Sequence, residues 1–297
     1  MPHRYRVYGL TVASEIVCPT LTQEPDAQRA TDVTVTSGKP RTAHAWQRYY
    51  LKTCGETLLM NIIGVAAFTV SNGCHISIHP HVDHDPDMLQ LYLLGFVFGM
   101  LLHQRGYCVL HCNAIVNDQH TVSIFMGDSG AGKSTTAAAF CQQGYRFLTD
   151  DVAAIYLQDQ QPWVAPSFPD IKLCHDAVEK LTLTDHNLKP IAHREEKVFF
   201  HPTQQFVDHP CRLANAYLLD RSEHYTQPKK IRLQGAKALE TLLYNTYRHN
   251  MLRRAGLAEQ QFHQLSQLSQ CVTVYHLQLP LTLHPNDIVE WLIKHDF

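Results

Sequence analysis

The sequence predicts an α/β protein with a small β-rich N-terminal part, and three observations carry that expectation. Short β-type runs separated by turn formers fill residues 1–86. From Val109 onward, β-type runs alternate with stretches of helical spacing, the pattern of an α/β domain. Between one such strand and one such helix lies a glycine-rich loop, Gly127–Ser134.

Taken in order, the first β-type runs are Tyr5–Val12, Asp32–Thr36, Thr57–Ile63, Ala66–Val70 and His75–His79. Thr36–Pro40 reads as a turn, and Asn72-Gly73 between two β-rich runs predicts a hairpin. His79–Asp85, dense in histidine, could bind a metal but is expected to be a solvated linker, since ligation needs a converging geometry. Asp85-Pro86-Asp87 then starts a helix over Met88–Arg105, because proline suits N1 and acids suit the positive end of the helix dipole. Its apolar run Leu91–Leu102 is about 12 residues, against the roughly 20 that span a bilayer, so a buried core helix is expected. Residues 1–86 thus form one domain and 87–297 a second. In the second, Val109–Val116, Thr121–Met126, Tyr145–Leu148, Val152–Leu157 and Ala214–Leu219 read as strands. Lys133–Gln143 reads as a helix capped by Gly144, Ala236–Leu252 has helical spacing, and Asn286-Asp287 starts a last helix ending at His295.

Bulk properties narrow the function. The chain has 297 residues, 45% hydrophobic and 18% charged, with a formal net charge of -2. It lacks the basic excess of a nucleic-acid binder and any polybasic membrane anchor, so neither partner is expected. No secretory signal is seen at Met1–Ile16. Nine cysteines, an odd number without a CxxC pair, point to reduced thiols and a cytoplasmic address. Cys108 and Cys112 flank His111 without zinc-finger spacing. Ser123 and Ser167 have no nucleophile–base–orienter spacing for a hydrolase triad.

The chemistry is concentrated in one motif. Gly127-Asp128-Ser129-Gly130-Ala131-Gly132-Lys133-Ser134 fits G-x-x-x-x-G-K-[ST] at every position, after a strand and before a helix. A phosphate chain approaches such a backbone closely, and only glycine avoids a Cβ clash at the φ/ψ values required. Successive N–H groups form an anion nest, and the helix adds its positive end. A nucleoside triphosphate with Mg²⁺ is therefore the expected ligand, ATP in the kinase reading although no motif reads the base, held by Gly127–Thr135, with Lys133 on the β/γ-phosphates and Ser134 on the metal. Asp150 and Asp151 follow about 17 residues after Lys133, one strand–helix–strand unit later, where adjacent strands would bring them to the loop. One carboxylate suits Mg²⁺; the other suits proton transfer from an attacking hydroxyl.

The stretch from His111 to Tyr156 resembles the catalytic domain of HPr kinase/phosphorylase: a His about fifteen residues before the loop, the loop GDSGAGKS, and Gly144-Tyr145-Arg146-Phe147-Leu148-Thr149-Asp150-Asp151. That family's nucleotide domain is similar to phosphoenolpyruvate carboxykinase, so the resemblance implies a P-loop domain of this type. It implies Asp150 as the base that activates a serine hydroxyl, Asp151 as a Mg²⁺ ligand beside Ser134, and His111 near the phosphates. Tyr244-Asn245-Thr246-Tyr247-Arg248 is similar to the family's Asn-Tyr-Arg segment, which places Arg248 on transferring phosphate. The family's Glu-Val-Arg-Gly-Leu-Gly signature is replaced by Ala165–Leu173. Tyr5-Arg6-Val7-Tyr8-Gly9-Leu10 with Ser14-Glu15 resembles HPr-kinase-related proteins of bacterial peptide clusters, some of which phosphorylate the C-terminal serine of lasso-peptide precursors.

Together these imply a serine kinase acting on a peptide or small protein, catalysed by Asp150, Lys133, His111 and Arg248. HPr kinases assemble as hexamers, which leaves a homo-oligomer open. Lys172, Lys197 in Arg194–Lys197, and Arg253-Arg254 are further candidate cations for substrate or phosphate. The small N-terminal domain or the Ala165–Leu173 region would choose the acceptor. Phosphorylation of a small metabolite such as free serine, nucleotide sensing without transfer, and carboxykinase chemistry are the rival readings.

Overall fold

The run Tyr5–Val12 is not one strand but two. Tyr8 and Gly9 both take positive φ (52° and 72°), which turns β1 (His3–Val7) back on β2 (Leu10–Ser14) in a two-residue hairpin. This is the opening of a computed structural model that describes residues 2–39, 50–54, 56–191, 196–202, 204–295 and 297. β3 (Thr22–Gln23), β4 (Val33–Ser37), β5 (Tyr50–Cys54), β6 (Thr57–Ile62), β7 (Ala66–Ser71) and β8 (His75–Pro80) complete an eight-stranded sheet of order β3-β1-β2-β4-β8-β7-β6-β5. The Asn72-Gly73 turn joins β7 to β8 as the sequence predicts. The histidine run is not a solvated linker: His79 and Pro80 end β8, and His81 is buried.

Helix α1 (Pro86–Gln104) begins where Asp85 accepts from the N–H groups of Asp87 and Met88 at 2.7 and 3.2 Å. One turn, Leu93–Val97, is π-helical, and the buried Tyr8 hydroxyl donates to its Leu94 carbonyl at 3.3 Å. By length and composition α1 passes as a membrane span, but 67% of that window is buried inside the protein. Its apolar side chains share one core with the eight-stranded sheet, and that core continues to Val109, Val152, Ala154 and Tyr247.

The second sheet has nine strands. The expected strand Val109–Val116 is interrupted at His111-Cys112, giving β9 (Cys108–Leu110) and β10 (Asn113–Val116). β11 (Thr121–Met126) leads through the glycine loop into α2 (Lys133–Gln142), and Gly144, at φ 88°, ends that helix as expected. β12 (Arg146–Thr149), β13 (Ala153–Gln158) and β14 (Gln161–Ala165) follow. A small sheet then interposes: β15 (Ile171–Cys174), α3 (His175–Lys180), β16 (Leu188–Pro190) and β17 (Lys197–Phe200), in order β15-β17-β16. The chain returns through β18 (Cys211–Ser222), β19 (Lys229–Leu233), α4 (Ala236–Tyr244), α5 (His249–Leu252), α6 (Ala258–Cys271), β20 (Thr273–Pro280) and α7 (Pro285–Lys294). The helix expected over Ala236–Leu252 is thus broken, because Arg248 takes left-handed φ 55°.

The large sheet runs β12-β10-β11-β18-β14-β13-β9, with β20 also on β18. β11 and β12 are therefore not adjacent, as the strand–helix–strand reading assumed. β10 lies between them, antiparallel to both. The consequence for the site is the same: the start of β10 and the ends of β11 and β12 share one edge. Apolar cores fill both sides of the sheet, α4 and α6 covering one and α2 and α7 the other. The result is a mixed α/β fold with three sheets.

Candidate active site

At the shared edge, β11 delivers the glycine loop. Gly127, Gly130 and Gly132 have φ of 141°, 87° and 93°. A Cβ at Gly127 would stand 2.7 Å from the Leu219 carbonyl oxygen, so this position requires glycine on space as well as conformation. Lys133 folds over the loop and donates to the carbonyls of Gly127 and Asp128 at 2.7 and 3.1 Å. Burial lowers its pKa, against the charges of Asp151 and Asp150.

The end of β12 delivers the carboxylates. Asp150 is 5% exposed. One oxygen accepts from the Ser134 hydroxyl at 2.8 Å and the other from the Lys172 amide at 2.9 Å. Burial first, and then the charge of Asp151, raise its pKa. Asp151 behaves oppositely. Burial would push it up, but the Lys172 ammonium at 3.0 Å and His111 Nδ1 at 3.1 Å hold it well below the usual carboxylate range. His111 comes from the break between β9 and β10, and its Nδ1–H also points at the Asp151 carbonyl, 3.0 Å away. Asp151 itself sits at φ 71°, one of the strained backbone positions that gather at functional sites.

The C-terminal half supplies a third wall, Tyr244–Arg248, which runs antiparallel beside the end of β9, Thr246 bridging Leu110. His111 N–H donates to the Asn245 carbonyl (2.8 Å) and Tyr247 N–H to the Val109 carbonyl (2.9 Å). The Asn245 side chain accepts from Gly127 N–H at 3.0 Å, and Tyr244 donates to Asp128 at 3.1 Å. Tyr247 packs on α1 where Gly99 leaves room: a Cβ there would stand 2.6 Å from the ring. Arg248 then lies over Phe96, 5.2 Å from the ring centroid.

These walls enclose a cavity of about 660 Å³. It is bordered by the sequence-predicted Gly127, Asp128, Ser129, Gly130, Gly132, Lys133, Ser134, Thr135, His111, Asp150, Asp151 and Arg248, and by the candidate cations Lys172 and Lys197. Ala131 is outside the lining and packs toward the core beside α2. Arg253 and Arg254 are exposed and do not border it; Arg194 and Glu195 lie outside the described residues. Sequence reasoning missed the contribution of α1, whose Tyr92, Gly95 and Phe96 form the apolar wall. The available signal was Gly95 and Gly99, four apart in an otherwise apolar helix. The role of Asn245 was also missed.

Chemically, the site offers convergent N–H donors and cations for an anion, and hard oxygens for a divalent cation. Ser134, Asp150 and Asp151 provide those oxygens, a small set that suits Mg²⁺ shared with phosphate. Among the described residues no group of three or more His, Cys, Asp or Glu side chains is placed to hold a metal unaided.

No protein-family model matches the chain, and no curated protein matches it. Among solved structures, the Hpr(Ser) kinase/phosphatase from Coxiella burnetii is similar over 64% of this chain and 99% of its own, with a TM-score of 0.34 and 12% sequence identity.

Proposed function

We propose that the chain is an ATP-dependent kinase that transfers the γ-phosphate to a serine hydroxyl of a peptide or small protein, ribosomally made peptide precursors included. The observation that carries this reading is the carboxylate pair facing the glycine loop, with Asp150 hydrogen-bonded to Ser134 at 2.8 Å. A phosphate-binding loop alone binds nucleotide; a buried carboxylate of raised pKa at its mouth adds a base.

The nucleotide phosphates lie on the N–H groups of Gly127–Thr135, with Lys133 turned from its own loop carbonyls onto them. Mg²⁺, held by Ser134 with Asp151, would neutralise phosphate charge. Asp150 takes the proton of the serine hydroxyl. The hydroxyl oxygen bonds to the γ-phosphorus, the bond from that phosphorus to the β–γ bridging oxygen breaks, and ADP leaves. Lys172 and His111 hold Asp151 ionised and in place. Arg248 meets charge spread over the transferring group, which suits a planar cation. In this reading the enzyme works in the cytoplasm, where thiols stay reduced. A partner in nucleic acid or membrane forms no part of the proposal.

The test is transfer itself. Wild type and Asp150→Asn are incubated with Mg-ATP and HPr, serine peptides, free serine or cell extract, and products are weighed by mass spectrometry. Phosphoserine on a peptide or protein is expected, with the variant slower by roughly 10²–10⁴-fold, the range for losing a general base. Undiminished turnover by Asp150→Asn would remove Asp150 from the mechanism. Nucleotide binding with no product from any acceptor would replace the kinase by a sensor.

A further inference from the structure

One wall of the cavity is the open edge of a strand. In the small sheet β15 pairs only with β17, in the register Ile171↔Phe200, Lys172↔Phe199, Leu173↔Val198 and Cys174↔Lys197. Three bonds fix which backbone groups face which way. His175 N–H donates to the Glu196 carbonyl at 3.4 Å, on the β17 side. His201 N–H donates to the Asn187 carbonyl at 2.8 Å, so the odd-numbered residues of β17 turn toward β16. Lys172 N–H donates to Asp150 at 2.9 Å, away from β17. In an antiparallel ladder these directions alternate along the strand. Residues 171, 173 and 175 therefore bond to β17, while the Lys172 carbonyl and the Cys174 amide point outward. Among the described residues neither has a partner, and both residues border the cavity.

A carbonyl at one residue and an amide two residues later, directed the same way, is the pattern that holds a single residue of a parallel strand by both its backbone groups. We propose that the acceptor binds as an extended peptide segment added in parallel to the edge of β15, one residue donating N–H to the Lys172 carbonyl and accepting from the Cys174 amide. This rests on the kinase reading above and specifies its substrate: a stretch of unfolded chain, recognised partly through its backbone.

The register also places the hydroxyl. Side chains alternate along a strand. Ile171 and Leu173 turn into the core against α2, whereas Lys172 turns to Asp151. The acceptor residue opposite Lys172 points its side chain to that same face, beside Asp150 and Asp151. It is the residue just before the clamped one, and there the serine belongs. Lys197, across from Cys174 and bordering the cavity, sets a cation on the C-terminal side of the segment, where an acidic side chain complements it.

The experiment uses the full chain, Mg-ATP and two degenerate peptide libraries with one fixed serine. In the second library the residue after the serine is N-methylated, which removes its N–H. Pairing predicts slower phosphorylation of the methylated library by about three- to tenfold, the worth of one hydrogen bond. A second arm compares Cys174→Pro with Cys174→Ala. Cys174 has φ -79°, near the value proline requires, and the residue before it is extended. Only the amide donor is lost. The proline variant is expected to show a several-fold higher KM for peptide than the alanine variant, with the same KM for Mg-ATP. Equal rates from both libraries would overturn the strand pairing and leave the kinase standing. Phosphorylation of free serine, with no peptide modified by wild type, would overturn both.

Discussion

Two of the hydrogen bonds of Asn245, to Gly127 and to His111, knit distant parts of the chain, and its bonds to Thr241 anchor it to α4. Its side-chain oxygen accepts from Gly127 N–H at 3.0 Å, its amide donates to Thr241 at 2.8 Å, and its own carbonyl accepts from His111. It is 5% exposed, so water does not replace what it provides. In Asn245→Ala the first N–H of the glycine loop is left buried and unpaired, a cost of about 1–3 kcal/mol. The loop loses its fixed entry, and Mg-ATP affinity is expected to fall about tenfold in calorimetric titration. Unchanged affinity would show that the loop holds its shape without this anchor. At this scale the sequence was informative where chemistry is local. The loop, Asp150-Asp151 and His111 were all legible, because phosphate binding restricts residue types within a few positions. Asn245 was not, since its partner is 118 residues away and an asparagine after a helix reads equally well as a simple cap.

Among elements, α1 joins the fold to the site. It buries His103 at 2% exposure. Nε2 lies 3.0 Å from the Tyr247 carbonyl oxygen and Nδ1 3.1 Å from Oε1 of Gln261, so the neutral ring donates to one of these two acceptors. Burial lowers the pKa of the ring to about 4, only partly offset by those two acceptors. The folded value lies below the ordinary 6.5, so the unfolded chain binds the proton first. Stability from the neutral ring is full above pH 6.5 and is lost as pH falls toward about 4. A shift of this size is worth about 3 kcal/mol. Urea unfolding of wild type and His103→Gln across this window checks it: the wild-type advantage should shrink on acidification. A difference independent of pH would mean that His103 is already charged in the fold. Element existence was largely readable, and the interruptions were not. Tyr5–Val12 turns at Tyr8-Gly9, Val109–Val116 breaks at His111-Cys112, and Ala236–Leu252 breaks at Arg248. In each case hydrophobic periodicity continues through a local backbone change that tertiary bonds impose.

For the whole molecule, the question is how far the N-terminal sheet and the catalytic part depend on each other. Residues 1–86 and 87–297 look like two domains in composition. Yet Leu93, Phe96, Val97, Met100 and Leu101 of α1 lie in one core with Tyr5, Val33, Phe68 and Ile76 of the eight-stranded sheet. The same core reaches Tyr247, the neighbour of Arg248 in the site. Cutting the chain after residue 86 would leave that helix face in water. Each large apolar side chain so exposed costs roughly 1.5–3 kcal/mol, and five of them exceed much of the 5–15 kcal/mol by which a protein is ordinarily stable. The 87–297 fragment is therefore expected to aggregate or bind a hydrophobic dye, and to lose Mg-ATP binding because α1, stripped of the sheet beneath it, no longer holds Tyr247 in place. The full chain should unfold in one calorimetric transition. A soluble fragment that binds nucleotide with full affinity would establish that the two parts fold separately, and that the N-terminal sheet contributes only to the acceptor side of the reaction.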